Sequence, residues 1–109
     1  MATLRSEITE LANTLNKVQQ LATEANTERE LRKLVHLLMV LWEEVIRQDL
    51  EPTQEIYLNA LHALALAAAA AQDAYADITK VTTAISRVQT AARSVDDVVK
   101  FGVALRQEG

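Results

Sequence analysis

Asp73 and Asp77 stand four residues apart in a stretch rich in helix formers, so one helix face carries both carboxylates. Paired carboxylate oxygens at that spacing can hold Mg²⁺. A second acidic group, Glu43, Glu44 and Asp49, lies in "WEEVIRQD", but the pairing of ExxE with ExxD that would build a helical metal site is missing. Helical bundles also hold di-iron centres through Glu-x-x-His. Here Lys33 precedes His36 by three residues and Asn59 precedes His62 by three, so neither histidine fits. His36 with Met39 offers axial haem ligands in principle, yet His36 falls on a charged strip and Met39 on the edge of an apolar arc. HExxH and CxxCH are absent. The chain has no cysteine, which excludes disulfides, thiolate metal sites and a cysteine nucleophile. The acidic pairs therefore read as a solvated charge stripe, and we expect no metal, no cofactor and no enzymatic activity.

His62 supports a sharper alternative. It lies mid-helix on the polar stripe Glu55, Asn59, His62, Asp73, Asp77 and Lys80. Its segment "LHALALA" resembles the phosphoacceptor helix of histidine phosphotransfer domains, which are also small acidic helical bundles. The resemblance implies that His62 accepts a phosphoryl group from a receiver domain. Where that family places Lys and Gly shortly after the histidine, this chain has Ala65 and Leu66. The Lys steadies the phosphoryl group and the Gly leaves room for the receiver, so both functions are in doubt here. Without that chemistry, His62 is an exposed histidine beside carboxylates.

The elements that would position these residues are helices. With two Gly, one Pro and four aromatic residues among 109, the chain has few turn formers and strong helix propensity. Leu4, Ile8, Leu11, Leu15, Val18, Ala22 and Ala25 repeat at three and four, one apolar seam of a helix over 3–25. Thr27 with Glu30 then offers a capping box for a second helix over 28–49. That helix spreads Leu31, Leu34, Val35, Leu37, Leu38, Met39, Leu41, Trp42, Val45 and Ile46 over roughly 200° of arc, which demands at least two neighbours. Its remaining strip carries Arg29, Lys33, His36, Glu43 and Arg47, interrupted by Val40. Pro52 ends the helix and suits the first turn of a third, over 53–75.

From Thr53 to Phe101 there is neither Gly nor Pro, and apolar heptad spacing runs from Tyr57 through Val99. If the chain turns near Asp73–Thr79 with Asp77 as cap, a fourth helix covers 78–107 and the fold is an all-α antiparallel four-helix bundle, a single domain over 1–109. If it does not turn, a helical hairpin packs on one C-terminal helix of roughly 80 Å and the molecule must dimerise. Matched helix lengths favour the bundle. Ser94 with Asp97 marks either a break or a polar spot in the last helix. The alanine tract Ala63–Ala71 is expected to face the large residues of the second helix.

Composition limits the partners. A net charge of −4 with scattered Lys and Arg opposes nucleic-acid binding. No apolar tract approaches the roughly 20 residues of a membrane span, and the charged N-terminus is unlike a secretory signal, so a cytoplasmic setting is expected. What remains is an expected non-enzymatic helical protein–protein interaction module, self-associating as a homodimer or binding another protein through an apolar helix face. Met39, Trp42, Val98, Phe101 and Leu105 are the candidate interface residues, because they are the bulky residues hardest to place in one seam. A bundle that binds a small apolar ligand beside the alanine helix is a further alternative.

Overall fold

Thr3 starts the first helix. Its hydroxyl accepts the Ser6 N–H at 3.1 Å while the Ser6 hydroxyl accepts the Thr3 N–H at 3.0 Å, so two orphan donors satisfy each other's residues. The computed structural model describes the backbone of residues 3–48 and 55–108, with side chains described over 3–46 and 55–102. Four helices follow: α1 (Leu4–Leu21), α2 (Ala25–Gln48), α3 (Glu55–Ala76) and α4 (Val81–Glu108). They form an antiparallel bundle with extents of 49 × 23 × 18 Å. The long-helix alternative is overturned, because the chain turns at Asp77 and a single 3₁₀ turn, Ile78–Lys80, leads into α4.

Both described turns dispense with glycine for the same reason. Ala22 leaves α1 at φ −70°, ψ 128° and Asp77 leaves α3 at φ −147°, ψ 102°, extended conformations open to any residue. Asp77 also supplies the polar partners. Its carboxylate accepts the Thr79 N–H at 3.1 Å and the Thr79 hydroxyl at 2.7 Å, and its own N–H donates to the Asp73 carbonyl at 2.8 Å.

The first turn sits earlier than expected. α1 ends at Leu21, not at residue 25, and α2 begins at Ala25 with the Glu28 N–H donating to the Glu24 carbonyl at 3.0 Å. Thr27 is therefore inside the first turn of α2 and caps nothing. The physical cause is alanine: Ala22 and Ala25 suit either helix, so packing against the α3–α4 turn decides the boundary. Ala22, Thr23, Glu24 and Thr27 line a cleft of about 290 Å³ with Ile78, Thr79, Val81 and Thr82. The expected helix start at Pro52 or Thr53 lies outside the described residues. α4 runs unbroken through Ser94 and Asp97, so that pair is a polar spot and no break.

Each hairpin is antiparallel, and the two lie side by side through α1 against α3 and α2 against α4. Leu4 donates its N–H to the Tyr57 hydroxyl at 3.1 Å, and Gln72 donates to the Thr14 hydroxyl at 3.3 Å. Position along α1 thus rises with position along α3. α3 consequently packs on α1 and α4, and α2 lies across the diagonal. The alanine tract does not have α2 as its flanking neighbour. Ala60, Ala67, Ala71 and Ala74 on α3 and Ala84, Val88, Ala91 and Val95 on α4 are all fully buried in the core that these packed helices share. Small side chains line the buried faces of both packed helices. Large side chains fill the rest: Leu4, Ile8, Leu11 and Leu15 from α1, with Leu31 and Leu38 from α2.

Candidate functional site

The surface built by α2 follows from the width of its apolar arc. Leu31, Leu34, Leu38, Leu41 and Val45, at spacings of three and four, turn inward and are buried. That seam is narrow, and the rest of the arc flanks it. On the side of α1, Trp42 is half-buried and lines a groove of about 440 Å³ with Thr3, Arg5, Ser6, Thr9 and Glu10. Met39 and Ile46, three before and four after Trp42, continue this edge and remain 37% and 41% exposed. On the side of α4, Leu37 and Leu41 line an open groove of about 480 Å³ with Gln89, Ala92, Arg93 and Asp96. Leu37 is 42% exposed, and Val40, one turn further along, is 45% exposed.

The charged frame of α2 is uneven along its length. Arg29, Glu30, Arg32, Lys33 and His36 are exposed in its first half, with Arg32 paired to Glu28 one turn before it. Glu43 and Glu44 follow in its second half. Lys33, Leu37 and Val40 are exposed at spacings of four and three, and the half-buried Glu44 follows four residues further on.

No family model, curated protein or solved structure matches this chain. Its surface must be read from its own residues.

Of the expected interface residues, Met39 is exposed and Trp42 half-buried on the α1 edge of α2. Val98 is fully buried in the chain's own core, beside Val95 and Val99, and offers no surface. The expected second apolar face of α4 thus loses its first member to the interior. Phe101 is half-buried on α4, well away from Met39 and Trp42 in the sequence, and the side chain of Leu105 lies outside the described residues. Leu37, Val40 and Ile46 complete the α2 surface and were absent from the expected set. Val40 was legible as the apolar interruption of a polar strip, and Leu37 as a member of the arc. Their adjacency was the missed signal.

The remaining chemistry-bearing residues are dispersed. His36 and His62 are both exposed, on α2 and α3. Asp77 is committed to the α3–α4 turn, where the Thr79 hydrogen bonds, with a smaller contribution from Lys80, hold its carboxyl below the ordinary value of 3.8. It is therefore a capping group whose Oδ1 accepts both Thr79 hydrogen bonds. Among the described residues, no three His, Asp or Glu side chains cluster to hold a metal ion. On α4, the Asp96 carboxylate accepts from Lys100 at 3.0 Å and raises the affinity of that ammonium for its proton. Among the described residues no helix is long and apolar enough to cross a membrane. The buried alanines of α3 line none of the three grooves described above.

Proposed function

We propose that this chain is a non-enzymatic helical interaction module that self-associates through the outer surface of α2. One observation carries the reading: α2 keeps Leu37 and Val40 on its α4 side, and Met39 and Ile46 on its α1 side, each 37–45% in water. Single exposed apolar residues are ordinary, but four on one element, flanking a seam that is already satisfied, leave apolar surface that association would remove from water. The dispersed histidines and the committed Asp77 support a role without catalysis. Sedimentation of the full chain from about 10 μM to about 1 mM is expected to show a monomer–dimer equilibrium in the micromolar to millimolar range of a small interface. Val40→Asp, at an exposed position, is expected to abolish the dimer and preserve the helical circular dichroism. A wild-type chain that is strictly monomeric at 1 mM would overturn self-association.

His62 has one observation in its favour as a phosphoacceptor, its exposure on the outer face of α3. Phosphotransfer from a labelled receiver domain to wild type and to His62→Gln tests that reading. Equal labelling of the two removes it.

A further inference from the structure

The chain reverses between α3 and α4 at one residue. Ala76 closes α3 and Ile78–Lys80 is a helical turn of its own, so Asp77, at φ −147°, ψ 102°, is where the direction changes. No residue of that 3₁₀ turn is buried, and Ile78 is half-buried. Local hydrogen bonds therefore hold the reversal: the two that Thr79 donates to Asp77 Oδ1, and the one that the Lys80 N–H donates to the Asp77 carbonyl at 3.0 Å. The apolar spacing ignores the reversal. Ala71, Ala74, Ile78, Val81, Ile85 and Val88 follow one another at three, four, three, four and three, the rhythm of one unbroken helix. We infer that the Asp77 turn is a hinge: when it straightens, α3 and α4 join, and two copies of the chain exchange α4 to build the bundle twice.

Each requirement of the exchange is met by the closed chain. Asp77 moves to helical values near φ −63°, ψ −42°, and the N–H groups of Ile78, Thr79, Lys80 and Val81 take the carbonyls of Ala74, Tyr75, Ala76 and Asp77. From Thr53 to Phe101 neither Gly nor Pro opposes such a helix. The α4 of the second copy then fills the place that the chain's own α4 holds against α3 and α2. Surface and occupant are thus matched in advance, because the exchanged interface is the interior of the closed bundle.

New contact forms only at the centre. Two straightened helices run antiparallel there, and their heptad spacing sets Ile78 against Val81 of the partner subunit and Ala74 against Ile85 of the partner subunit. Ile78, Val81 and Ile85 are half-buried in the closed chain, so the exchange covers apolar surface that closure leaves in water. Opposing this, Asp77 caps the turn and association costs translational and rotational freedom, which keeps the single chain closed. Asp77 is therefore the latch. The exchange runs through the core and is independent of the proposed association through α2.

Asp77→Ala tests the hinge, in a Val40→Asp background that removes association through α2. Alanine deletes the cap and favours helix, and each exchanged dimer opens two turns, so the cap counts twice. After refolding from urea, size-exclusion chromatography is expected to show a dimer-to-monomer ratio about tenfold or more above that of the parent. A glycine-rich insertion after Asp77 lengthens the hinge and is expected to abolish the exchanged dimer. Distance identifies the dimer. Asn59 and Asp97 are exposed at nearly matching levels of α3 and α4, and the chain has no cysteine, so Asn59→Cys with Asp97→Cys accepts two spin labels at known sites. In labelled chains diluted with unlabelled ones, the pair should lie within about 30 Å in the closed hairpin and roughly 57 Å apart in the straightened helix. An Asp77→Ala dimer with the long distance supports the hinge. A dimer that keeps the short distance uses another surface, and a variant that stays monomeric does not open; either result overturns the inference and leaves the α2 proposal to its own test. If Asp77→Ala loses its helical circular dichroism, the labelled parent refolded under the same conditions decides: a long-distance population supports the hinge, and its absence overturns it.

Discussion

Replacing Ala71 by Leu tests the packing of the bundle most directly. Ala71 is fully buried on the face of α3 that meets α4, where Ala67 and Ala74 on the same face and Ala84 and Ala91 across the contact are also fully buried. Leucine adds three carbons at a position where no surface is left to water. Were there room, burying them would stabilise by about 0.8 kcal/mol per CH₂. With small, fully buried side chains on both helices, the added carbons must instead push α3 from its neighbours or force strained rotamers. Overpacking of that kind costs about 1–3 kcal/mol. For a chain of this size the melting temperature should fall by about 4–12 °C, since 1 kcal/mol corresponds to about 4 °C. Leucine and alanine are both strong helix formers, so helix propensity contributes only slightly to the comparison. Ala69→Leu, at an exposed position on the same helix, is the control and should stay within about 0.5 kcal/mol of wild type. Urea unfolding followed by circular dichroism gives both values. A stability for Ala71→Leu equal to or above wild type would refute the close α3–α4 contact.

Three further substitutions address the polar contacts. Tyr57→Phe deletes the acceptor of the buried Leu4 N–H and should cost about 1–3 kcal/mol in urea unfolding, with loss of protection at that amide in hydrogen exchange. Thr3→Ala removes one half of the capping box and should cost about 0.5–2 kcal/mol, concentrated in fraying of α1. Asp77→Asn should lower the melting temperature at neutral pH, and the difference should close in acid. The Asp77 carboxyl is held below its ordinary 3.8 in the folded state, so its contribution is present above that value and disappears as the pH falls through the folded-state value. A difference unchanged from pH 7 down to about pH 2 would show that the charge of Asp77 has no part in the turn.

Much of the fold was legible because burial in a bundle follows spacing. Leu4, Ile8, Leu11, Leu15 and Val18 on α1, and Tyr57, Ala60, Leu64, Ala67, Ala71 and Ala74 on α3, are all buried at the positions their period assigns. Asp77 was legible as the cap of the second hairpin. The absence of glycine there looked like an objection, but glycine is required only where φ is positive, and this turn is extended. What spacing does not encode is the order of helices around the bundle. The α2 arc required two neighbours without naming them, and whether α3 lies beside α2 or across from it depends on residues far apart in the chain, such as Leu4 with Tyr57 and Thr14 with Gln72. The Ala22–Ala25 boundary was illegible for a local reason, since alanine is equally at home on either side of it.

The outer surface of α2 illustrates a further limit of single-residue reading. Val40, taken alone, is one exposed valine in a polar strip and asks for no explanation. Leu37, taken alone, belongs to the arc that packs toward α4. Only their position side by side, three residues apart on one side of α2, joins them into a single exposed apolar surface.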